Sequence, residues 1–307
     1  MFKKQSVPEQ LAKTGALVIE KETMAQHTTF RIGGPCDLFV EVMDLKQLKA
    51  VLAIAKKNKL PIRIIGKGSN LLVSDKGVDG IVIRLSGKLA SISRNGNRIM
   101  AGAGASLASV ANFAKENGLS GLEFAGGIPG TIGGAIWMNA GAYNGEMSQV
   151  VVGVPYLSIQ GRLLDAKQGQ LGFGYRTSRF QQTGELILGC EMELTPGDPD
   201  EIGKQMADFN QRRRDKQPLE YPSAGSTFKR PEGLFAGALI ENAGLKGFSV
   251  GGAQVSEKHA GFVINKNNAT CADVVALIEQ VQKTILNKDG VLLEPEIQFW
   301  ERFSEKE

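Results

Sequence analysis

The chain has 307 residues, 42% hydrophobic and 22% charged, which is enough for two or three packed domains and is the composition of a soluble globular protein. Its net charge of +4 suits an acidic small molecule such as a nucleotide and argues against a nucleic-acid-binding protein, which usually has a stronger basic patch. The three cysteines match no metal-ligand spacing, the N-terminus has no signal-peptide core, and no apolar run approaches 18 residues. We therefore expect a cytoplasmic protein with no metal, no membrane span and no obligate protein partner.

Predicted strands and helices alternate through the first half of the chain. Leucine spacing predicts a helix over 44–58, and Ser106 and Gly118 are typical start and stop signals of a second helix. Strand-like runs occur at 61–66, 80–86, 98–104, 150–159 and 185–194.

The second half begins at a turn cluster, TPGDPDE, at 195–201, which marks a candidate domain boundary. The order of elements predicts an α+β protein in several parts, with no internal repeat. The predicted elements are helices at 201–216, 234–243 and 272–287 and strands near 250–256, 261–265 and 292–300.

Two glycine-rich loops, at 66–72 (GKGSNLL) and 126–135 (GGIPGTIGGA), carry the first functional signal. Glycines allow consecutive backbone N–H groups to converge on an anion, and Ser69, Asn70 and Thr131 can add side-chain donors. Neither loop fits the Walker A pattern or the Rossmann GxGxxG pattern. The loops are therefore either tight turns between strands or an uncommon phosphate site, and two such loops suit a pyrophosphate.

Taken together with further motifs, these loops resemble the UDP-N-acetylenolpyruvoylglucosamine reductases, which complete UDP-N-acetylmuramate for bacterial peptidoglycan. The motifs occur in the family's order and extend over nearly the whole chain. The short segment after YRTS is similar to the compact subtype, which lacks an extra tyrosine-bearing loop. The motifs are TTFRIGGPCDLF (28–39), GKGSNLLV (66–73), IPGTIGGAIWMNAGAY (128–143), YRTS (175–178), RRRDKQP (212–218), AGSTFKRP (224–231), VSEKHAGFVIN (255–265) and LEPEI (293–297).

The resemblance implies an α+β fold in which a two-subdomain FAD-binding unit of the vanillyl-alcohol-oxidase type precedes a C-terminal α+β substrate domain. We expect FAD-binding subdomain 1 at 1–80, subdomain 2 at 81–205 and the substrate domain at 206–307, with the last strand a candidate to return to subdomain 1. The implied ligands are noncovalent FAD, NADPH as reductant and UDP-N-acetylglucosamine-enolpyruvate as substrate. The implied FAD contacts are Gly66, Gly68, Ser69, Asn70, Leu71, Ile128, Pro129, Gly130, Thr131, Gly133, Gly134, Gly141 and Arg213.

In the family reaction, hydride from NADPH reaches the enolpyruvyl double bond through FAD, and the carbon beside the carboxylate then needs a proton. Ser226 resembles the family's proton donor. A donor that faces a strongly basic carbon needs no imidazole, whereas a serine nucleophile would need one, and the chain has only His27 and His259. The alternative for Ser226 is a polar turn residue after Gly225.

Arg176 resembles the arginine that holds the substrate carboxylate through two parallel hydrogen bonds; a surface arginine is the alternative. Glu296 resembles the catalytic glutamate beside it, and burial would favour its protonated form. Glu294 is a local rival, because it lies two residues earlier on the same face of a regular strand. The implied substrate contacts are Tyr175, Lys216, Lys229, Arg230 and His259.

Other interpretations remain open at several positions. A solvated helix end is the alternative for Arg213 and Lys216, and a structural histidine for His259. His27 is expected to be structural, and Gln298 departs from the arginine found there in many relatives, which affects charge stabilisation near the flavin. For the whole chain, the alternatives are another flavin oxidase or dehydrogenase and a nucleotide-binding regulatory protein.

Overall fold

The computed structural model describes residues 5–302 and divides into two compact units. Unit 1 comprises Met1–Ile19, Phe39–Gly66 and Ile81–Arg213, and unit 2 comprises Glu20–Leu38, Lys67–Gly80 and Arg214–Glu307. Neither unit is a continuous segment, because the chain passes from one to the other five times. The three consecutive domains expected from the sequence stay a prediction.

Helix ends follow capping residues. Asp44 accepts a hydrogen bond from the amide of Gln47 (2.8 Å) at the start of the second helix, and Gly290, with φ of 70°, ends the last one. Thr270 and Asp273 form a capping box at the start of that last helix. The α-helices are α1 (Val7–Ala12), α2 (Leu45–Lys57), α3 (Leu107–Glu116), α4 (Ile132–Trp137), α5 (Phe180–Thr183), α6 (Pro199–Lys216), α7 (Ala236–Asn242) and α8 (Cys271–Asp289).

The strands are mostly short. In chain order they are β1 (Leu17–Glu20), β2 (Cys36–Val42), β3 (Ile62–Ile65), β4 (Leu71–Val73), β5 (Val78–Leu85), β6 (Ile92–Asn95), β7 (Arg98–Gly102), β8 (Leu119–Ser120), β9 (Gly141–Ala142), β10 (Gly145–Glu146), β11 (Val151–Leu157), β12 (Leu163–Lys167), β13 (Leu186–Ile187), β14 (Gly189–Glu193), β15 (Thr195–Pro196), β16 (Ser223–Ser226), β17 (Ser249–Val250), β18 (Ala253–Val255), β19 (Phe262–Asn265) and β20 (Gln298–Trp300).

Unit 1 is built around two larger sheets. One has the order β1-β2-β5-β3, in which β3 and β5 are parallel. The other has the order β12-β11-β14-β7-β6, with β13 also paired to β11, and its pairs are antiparallel. Two small ladders, β9 with β10 and β8 with β15, lie in the connections.

Unit 2 contains the antiparallel sheet β16-β19-β18-β17 and a short parallel pair, β20 with β4. Helix α8 contributes Val274, Leu277 and Val281 to its core. The same core includes Phe30, Ile32 and Leu72 from the first quarter of the chain, each no more than 2% exposed. Segments distant in sequence therefore share one apolar interior.

The strand expected over 292–300 is wrong for most of its length, because only β20 (298–300) is regular. Pro295 has no N–H to donate, so it cannot take part fully in a ladder. It instead forms an isolated bridge with Phe228. Ser106 occupies the expected N-cap position of α3, although its side chain does not make the capping hydrogen bond. Within residues 5–302, none of the helices combines the length and apolar character needed to cross a bilayer.

Candidate functional site

The two glycine-rich loops meet in unit 1 at Gly66 and Thr131. A Cβ at Gly66 would lie 2.4 Å from the Thr131 hydroxyl oxygen, so only glycine allows this approach. Thr131 is the N-cap of α4 and accepts from the amide of Gly134 (3.5 Å). The amide of Gly133 donates to the carbonyl of Ala103 (2.8 Å). Gly133 thus holds the loop against the segment before α3, while Thr131 and Gly134 fix the start of α4.

One stretch of this second loop remains open. The amide of Ile128 donates to Ala125, and the amide of Leu107 donates to the carbonyl of Gly130. Among residues 5–302, no backbone carbonyl accepts a hydrogen bond from the amides of Gly130 and Thr131. A Cβ at Gly130 would meet no atom within 4 Å. Two adjacent donors beside open space, following Pro129, are what an anion requires.

Arg213, near the end of α6, supplies a cation beside this loop. A Cβ at Gly127 would come within 3.3 Å of the Arg213 guanidinium. Burial lowers the pKa of Arg213, and the hydroxyl of Tyr143 only partly opposes this shift. No carboxylate within residues 5–302 forms an ion pair with Arg213. A half-buried cation without a counter-charge favours binding of an anion.

The loop after α4 is built on unusual backbone geometry. Asn139, Tyr143 and Asn144 all have positive φ, between 42° and 65°. The ring of Tyr143 stacks on Phe209 of α6 at 4.6 Å. Gly141 has a structural reason to be glycine, because a Cβ there would lie 2.7 Å from the carbonyl oxygen of Gly145.

The YRTS motif forms a tight turn in unit 1. Gly174 and Thr177 exchange backbone hydrogen bonds (3.1 and 3.2 Å), and Arg176 between them has φ of 56°. The buried side chain of Asn139 donates to the carbonyl of Gly174 (3.0 Å) and accepts from the amide of Ser148 (2.9 Å). The guanidinium of Arg176 lies 5.2 Å from the ring centre of Tyr175, which is 52% exposed.

The other part of the first loop belongs to unit 2, where Ser69 lies in the turn between Gly68 and Asn70. Gly68 has φ of 60°, and a Cβ there would lie 2.2 Å from the carbonyl oxygen of His27. The side chain of Asn70 donates to the backbone carbonyl of Glu296 (3.0 Å). The backbone carbonyl of Asn70 accepts from the amide of Gln298 (2.8 Å). Leu71 follows as the first residue of β4.

Ser226 ends β16, where Gly225 (φ 77°) and a register shift interrupt the pairing with β19. Thr227, only 2% exposed, holds this point in place. Its amide donates to Gly261 (2.8 Å) and its hydroxyl accepts from the amide of Val263 (2.9 Å). The half-buried Ser226 is therefore fixed beside an anchored neighbour.

The motifs AGSTFKRP and LEPEI lie side by side in unit 2. The amide of Glu296 donates to the carbonyl of Thr227, and the amide of Lys229 donates to the carbonyl of Glu294, both at 2.8 Å. Ser226 and Glu296, 70 positions apart, are thus placed on neighbouring segments of one unit. Glu296 is half-buried.

The rival carboxylate Glu294 is 68% exposed at its side chain and forms an ion pair with Lys229 (2.5 Å). This pairing also engages Lys229, which was expected to contact substrate. The guanidinium of Arg230 lies 4.6 Å from the ring centre of Phe235, whose ring is 60% exposed.

His259 and Lys216 share one electrostatic environment. The Nδ1 atom of His259 accepts from the amide of Gly261 (3.0 Å), which leaves the proton of the neutral ring on Nε2. Burial lowers the pKa of His259, and the positive charges of Lys246 and Lys216 act in the same direction. A neutral ring with an N–H donor is therefore favoured. His27, by contrast, contacts Glu22 (2.9 Å).

Sequence patterns did not single out Asn139 and Thr227. Both are buried polar residues whose hydrogen bonds position the turn of Arg176 and the segment of Ser226, respectively. Their only sequence signal is their place in the motifs IPGTIGGAIWMNAGAY and AGSTFKRP.

The residues of unit 1 fit FAD. FAD carries a diphosphate, and the open amides of Gly130 and Thr131 with the unpaired Arg213 supply donors and positive charge for such an anion. All the implied residues occur in the described chain.

Comparison with known proteins gives consistent matches. The family "UDP-N-acetylenolpyruvoylglucosamine reductase, C-terminal domain" matches residues 217–300, and the family "FAD binding domain" matches residues 36–167. The UDP-N-acetylenolpyruvoylglucosamine reductase of Agathobacter rectalis is 50% identical over 95% of this chain and 96% of its own. That of Caldanaerobacter subterraneus subsp. tengcongensis is 49% identical over 94% and 95%.

A solved structure agrees with these sequences. The crystal structure of UDP-N-acetylenolpyruvylglucosamine reductase from Thermus caldophilus matches with a TM-score of 0.81 and 35% identity, over 93% of this chain and 98% of that one. These matches confirm the predicted fold class, with its FAD-binding unit, and the prediction of FAD with NADPH as the cofactors of such an enzyme. The roles of individual site residues stay predictions.

Proposed function

The chain belongs to the family of UDP-N-acetylenolpyruvoylglucosamine reductases, and on this premise we propose that it reduces UDP-N-acetylglucosamine-enolpyruvate to UDP-N-acetylmuramate, with NADPH preferred as reductant and Ser226 as proton donor. It is an FAD-binding oxidoreductase of peptidoglycan precursor synthesis. A cytoplasmic location is part of the proposal.

One observation carries the residue assignment. The hydrogen bond from the amide of Glu296 to the carbonyl of Thr227 joins the two motifs that an FAD-binding fold alone does not require. A different flavin oxidase would have no need for this pair. A regulatory protein without turnover is disfavoured by the presence of Ser226, Glu296 and Arg176 together.

Bound FAD supplies the hydride for the enolpyruvyl double bond. The chain's own residues then bind the substrate carboxylate and donate the proton. Arg176 holds the carboxylate with its planar guanidinium, and Glu296, as the protonated acid, donates a hydrogen bond to the negative charge that develops there. The hydroxyl of Ser226 donates its proton to the carbon next to the carboxylate, and solvent restores the proton to the half-exposed Oγ.

Further residues serve binding. The FAD diphosphate is bound by the backbone amides of Gly130 and Thr131 and by the side chain of Arg213. Lys216, Arg230 and the Nε2–H of His259 contact the anionic UDP-sugar. Lys229 does so after exchanging its ion pair with Glu294 for one with substrate.

Stopped-flow measurement of the two half-reactions tests the proposal. The purified protein should be yellow, NADPH should bleach it, and UDP-N-acetylglucosamine-enolpyruvate should restore the colour. In Ser226→Ala, bleaching should proceed at the wild-type rate while recovery slows about 10²–10⁴-fold, the usual contribution of a positioned acid.

Ser223→Ala is the matched control, because Ser223 starts the same strand β16 and should leave both half-reactions unchanged. A colourless protein that takes up no added FAD would disprove the proposed reaction. Equal slowing of bleaching and recovery in Ser226→Ala would remove Ser226 as the proton donor.

A further inference from the structure

A polar cleft lies in unit 2, at the other end of β16 from Ser226. It has a volume of about 320 Å³ and is lined by Arg31, Pro222, Asn265, Lys266, Asn268 and Ala269. Pro222 immediately precedes β16 and accepts a hydrogen bond from the amide of Asn265 (2.9 Å), whereas Ser226 pairs with Phe262. Along the strand, the two positions are on the order of 10 Å apart.

The lining of this cleft is positively charged. It contains two cations, Arg31 and Lys266, and no carboxylate. Within residues 5–302 the guanidinium of Arg31 makes no hydrogen bond or ion pair, and the side chain is exposed. The ammonium of Lys266 is held by the hydroxyl of Tyr221 (2.5 Å) and lies 4.1 Å from the centre of its ring. The Tyr221 hydrogen bond raises the pKa of Lys266, and the negative charges of Glu257 and Glu220, outside the cleft lining, act in the same direction.

The wall between the two cations is rigid. The side chain of Asn265 accepts from the amide of Ala269 (2.7 Å) and donates to the carbonyl of Phe30 (3.2 Å). The hydroxyl of Thr29 donates to the carbonyl of Ser223 (2.7 Å). Three chain segments, around residues 30, 222 and 267, are thus tied together at the cleft.

Two of the lining residues have strained backbones. Arg31 and Asn268 have φ of 55° and 51°, a region that costs free energy for residues other than glycine. Asparagine tolerates it better than arginine does. Strained backbone of this kind clusters at ligand-binding and other functional sites.

We propose that this cleft binds a phosphate group, either as inorganic phosphate or as a phosphate monoester. Phosphate carries between one and two negative charges at neutral pH, which suits the two cations. The fork of the Arg31 guanidinium suits two oxygens of a tetrahedral anion, and Lys266 supplies a point charge. The side-chain amide of Asn268 can donate a hydrogen bond to a third oxygen. The cleft is larger than one phosphate ion, which leaves room for a small organic group.

Amide chemical shifts of the FAD-loaded, ¹⁵N-labelled protein provide the test. Sodium phosphate, added at constant pH and ionic strength, should shift the signals of Arg31, Lys266 and Asn268 saturably. Arg31→Gln and Lys266→Gln should each weaken this binding about tenfold, as expected for the loss of one charge-assisted contact. Asn268→Asp, which tolerates the same backbone, should weaken it through repulsion.

Lys49→Gln is the control, because Lys49 is an exposed lysine of α2 and should leave phosphate binding unchanged. Titration with glycerol 3-phosphate distinguishes a phosphate monoester from inorganic phosphate as the ligand. Tighter binding than that of phosphate assigns the cleft to an organic monoester, and equal or weaker binding assigns it to the free ion. Unsaturable shifts, shifts unaffected by the variants, or equal binding of succinate would overturn the assignment. The variants should bleach with NADPH and recover normally, so a failure here leaves the proposed reaction untouched.

Discussion

Arg176 has a backbone conformation that its residue type does not favour. Its φ of 56° lies in the left-handed region, where residues other than glycine are uncommon. The turn is enforced from outside, by the two hydrogen bonds between Gly174 and Thr177 and by the side chain of Asn139. Such enforced strain concentrates at functional sites, which supports the role proposed for this guanidinium.

The two glutamates of LEPEI offer a matched pair of variants. Glu296→Gln should lower turnover about 100-fold or more, because it removes the carboxylic acid proposed to donate to the substrate carboxylate. Glu294→Gln breaks only an exposed ion pair with Lys229 and should change turnover less than about threefold.

Steady-state assays at saturating NADPH distinguish the two. If Glu294→Gln were the more damaging variant, the motif register that assigns catalysis to Glu296 would be wrong.

At the scale of single residues, the sequence located motifs but not their neighbours. The histidine count and motif order singled out Ser226 and Glu296. Their adjacency depends on a backbone pairing between residues 227 and 296, and on a register shift between Ser223 and Ser226, neither of which has a local sequence pattern. The ion pair of Glu294 with Lys229 has no local sequence pattern either.

The second glycine-rich loop is the element on which FAD binding most depends. Gly130→Ala should leave the fold intact, because its Cβ would meet no atom within 4 Å and φ is not positive there. The added methyl group would instead enter the space in which we place FAD, and should weaken flavin affinity about tenfold or more.

Gly169→Ala is the corresponding control, since a Cβ at Gly169 also meets nothing within 4 Å but lies outside both loops. Flavin titration of the apoproteins, with thermal unfolding to verify the fold, measures the difference. Equal flavin affinity in the two variants would place FAD away from Gly130.

Helices were predicted better than the terminal strand, for a physical reason. The helix expected at 44–58 is observed at Leu45–Lys57 because a side chain at its N-cap position and its apolar spacing are local signals. The strand expected at 292–300 has a strand-like composition, but Pro295 interrupts it, and its first part pairs with Phe228 rather than with a regular ladder. Long-range pairing decided the outcome there.

For the whole molecule, one carboxylate links three segments that are distant in sequence, around residues 21, 80 and 302. Asp37 accepts from Lys21 (2.9 Å), from the amide of Gly80 (3.0 Å) and from Arg302 (3.1 Å). Burial raises the pKa of Asp37, but these partners outweigh it and lower the pKa to about 2.

Because this folded pKa lies below the unfolded value of about 3.9, Asp37 stabilises the fold above pH ~4, and this contribution is lost as the pH falls towards 2. Asp37→Asn should lower the melting temperature at pH 7, and the difference from wild type should shrink between pH 4 and pH 2. Asp165→Asn, in an exposed ion pair with Lys167, should have little effect at either pH. A difference for Asp37→Asn that stayed constant down to pH 2 would contradict this account.

Because the units are not continuous in sequence, we can predict whether an isolated fragment of the chain folds. A fragment of residues 206–307, the expected substrate domain, lacks Phe30, Ile32 and Leu72, which are buried in the core of unit 2. It also lacks β4, the partner of β20. Burial of such side chains contributes about 1.5–3 kcal/mol each, and three of them amount to a large part of the roughly 5–15 kcal/mol that stabilises a domain.

The isolated fragment should therefore show no cooperative thermal unfolding and poorly dispersed amide signals, whereas the full chain should show both cooperative unfolding and well-dispersed amide signals. A fragment that melts cooperatively with a dispersed spectrum would mean that residues 206–307 are a domain in their own right, and that the N-terminal segments only add to a core already complete.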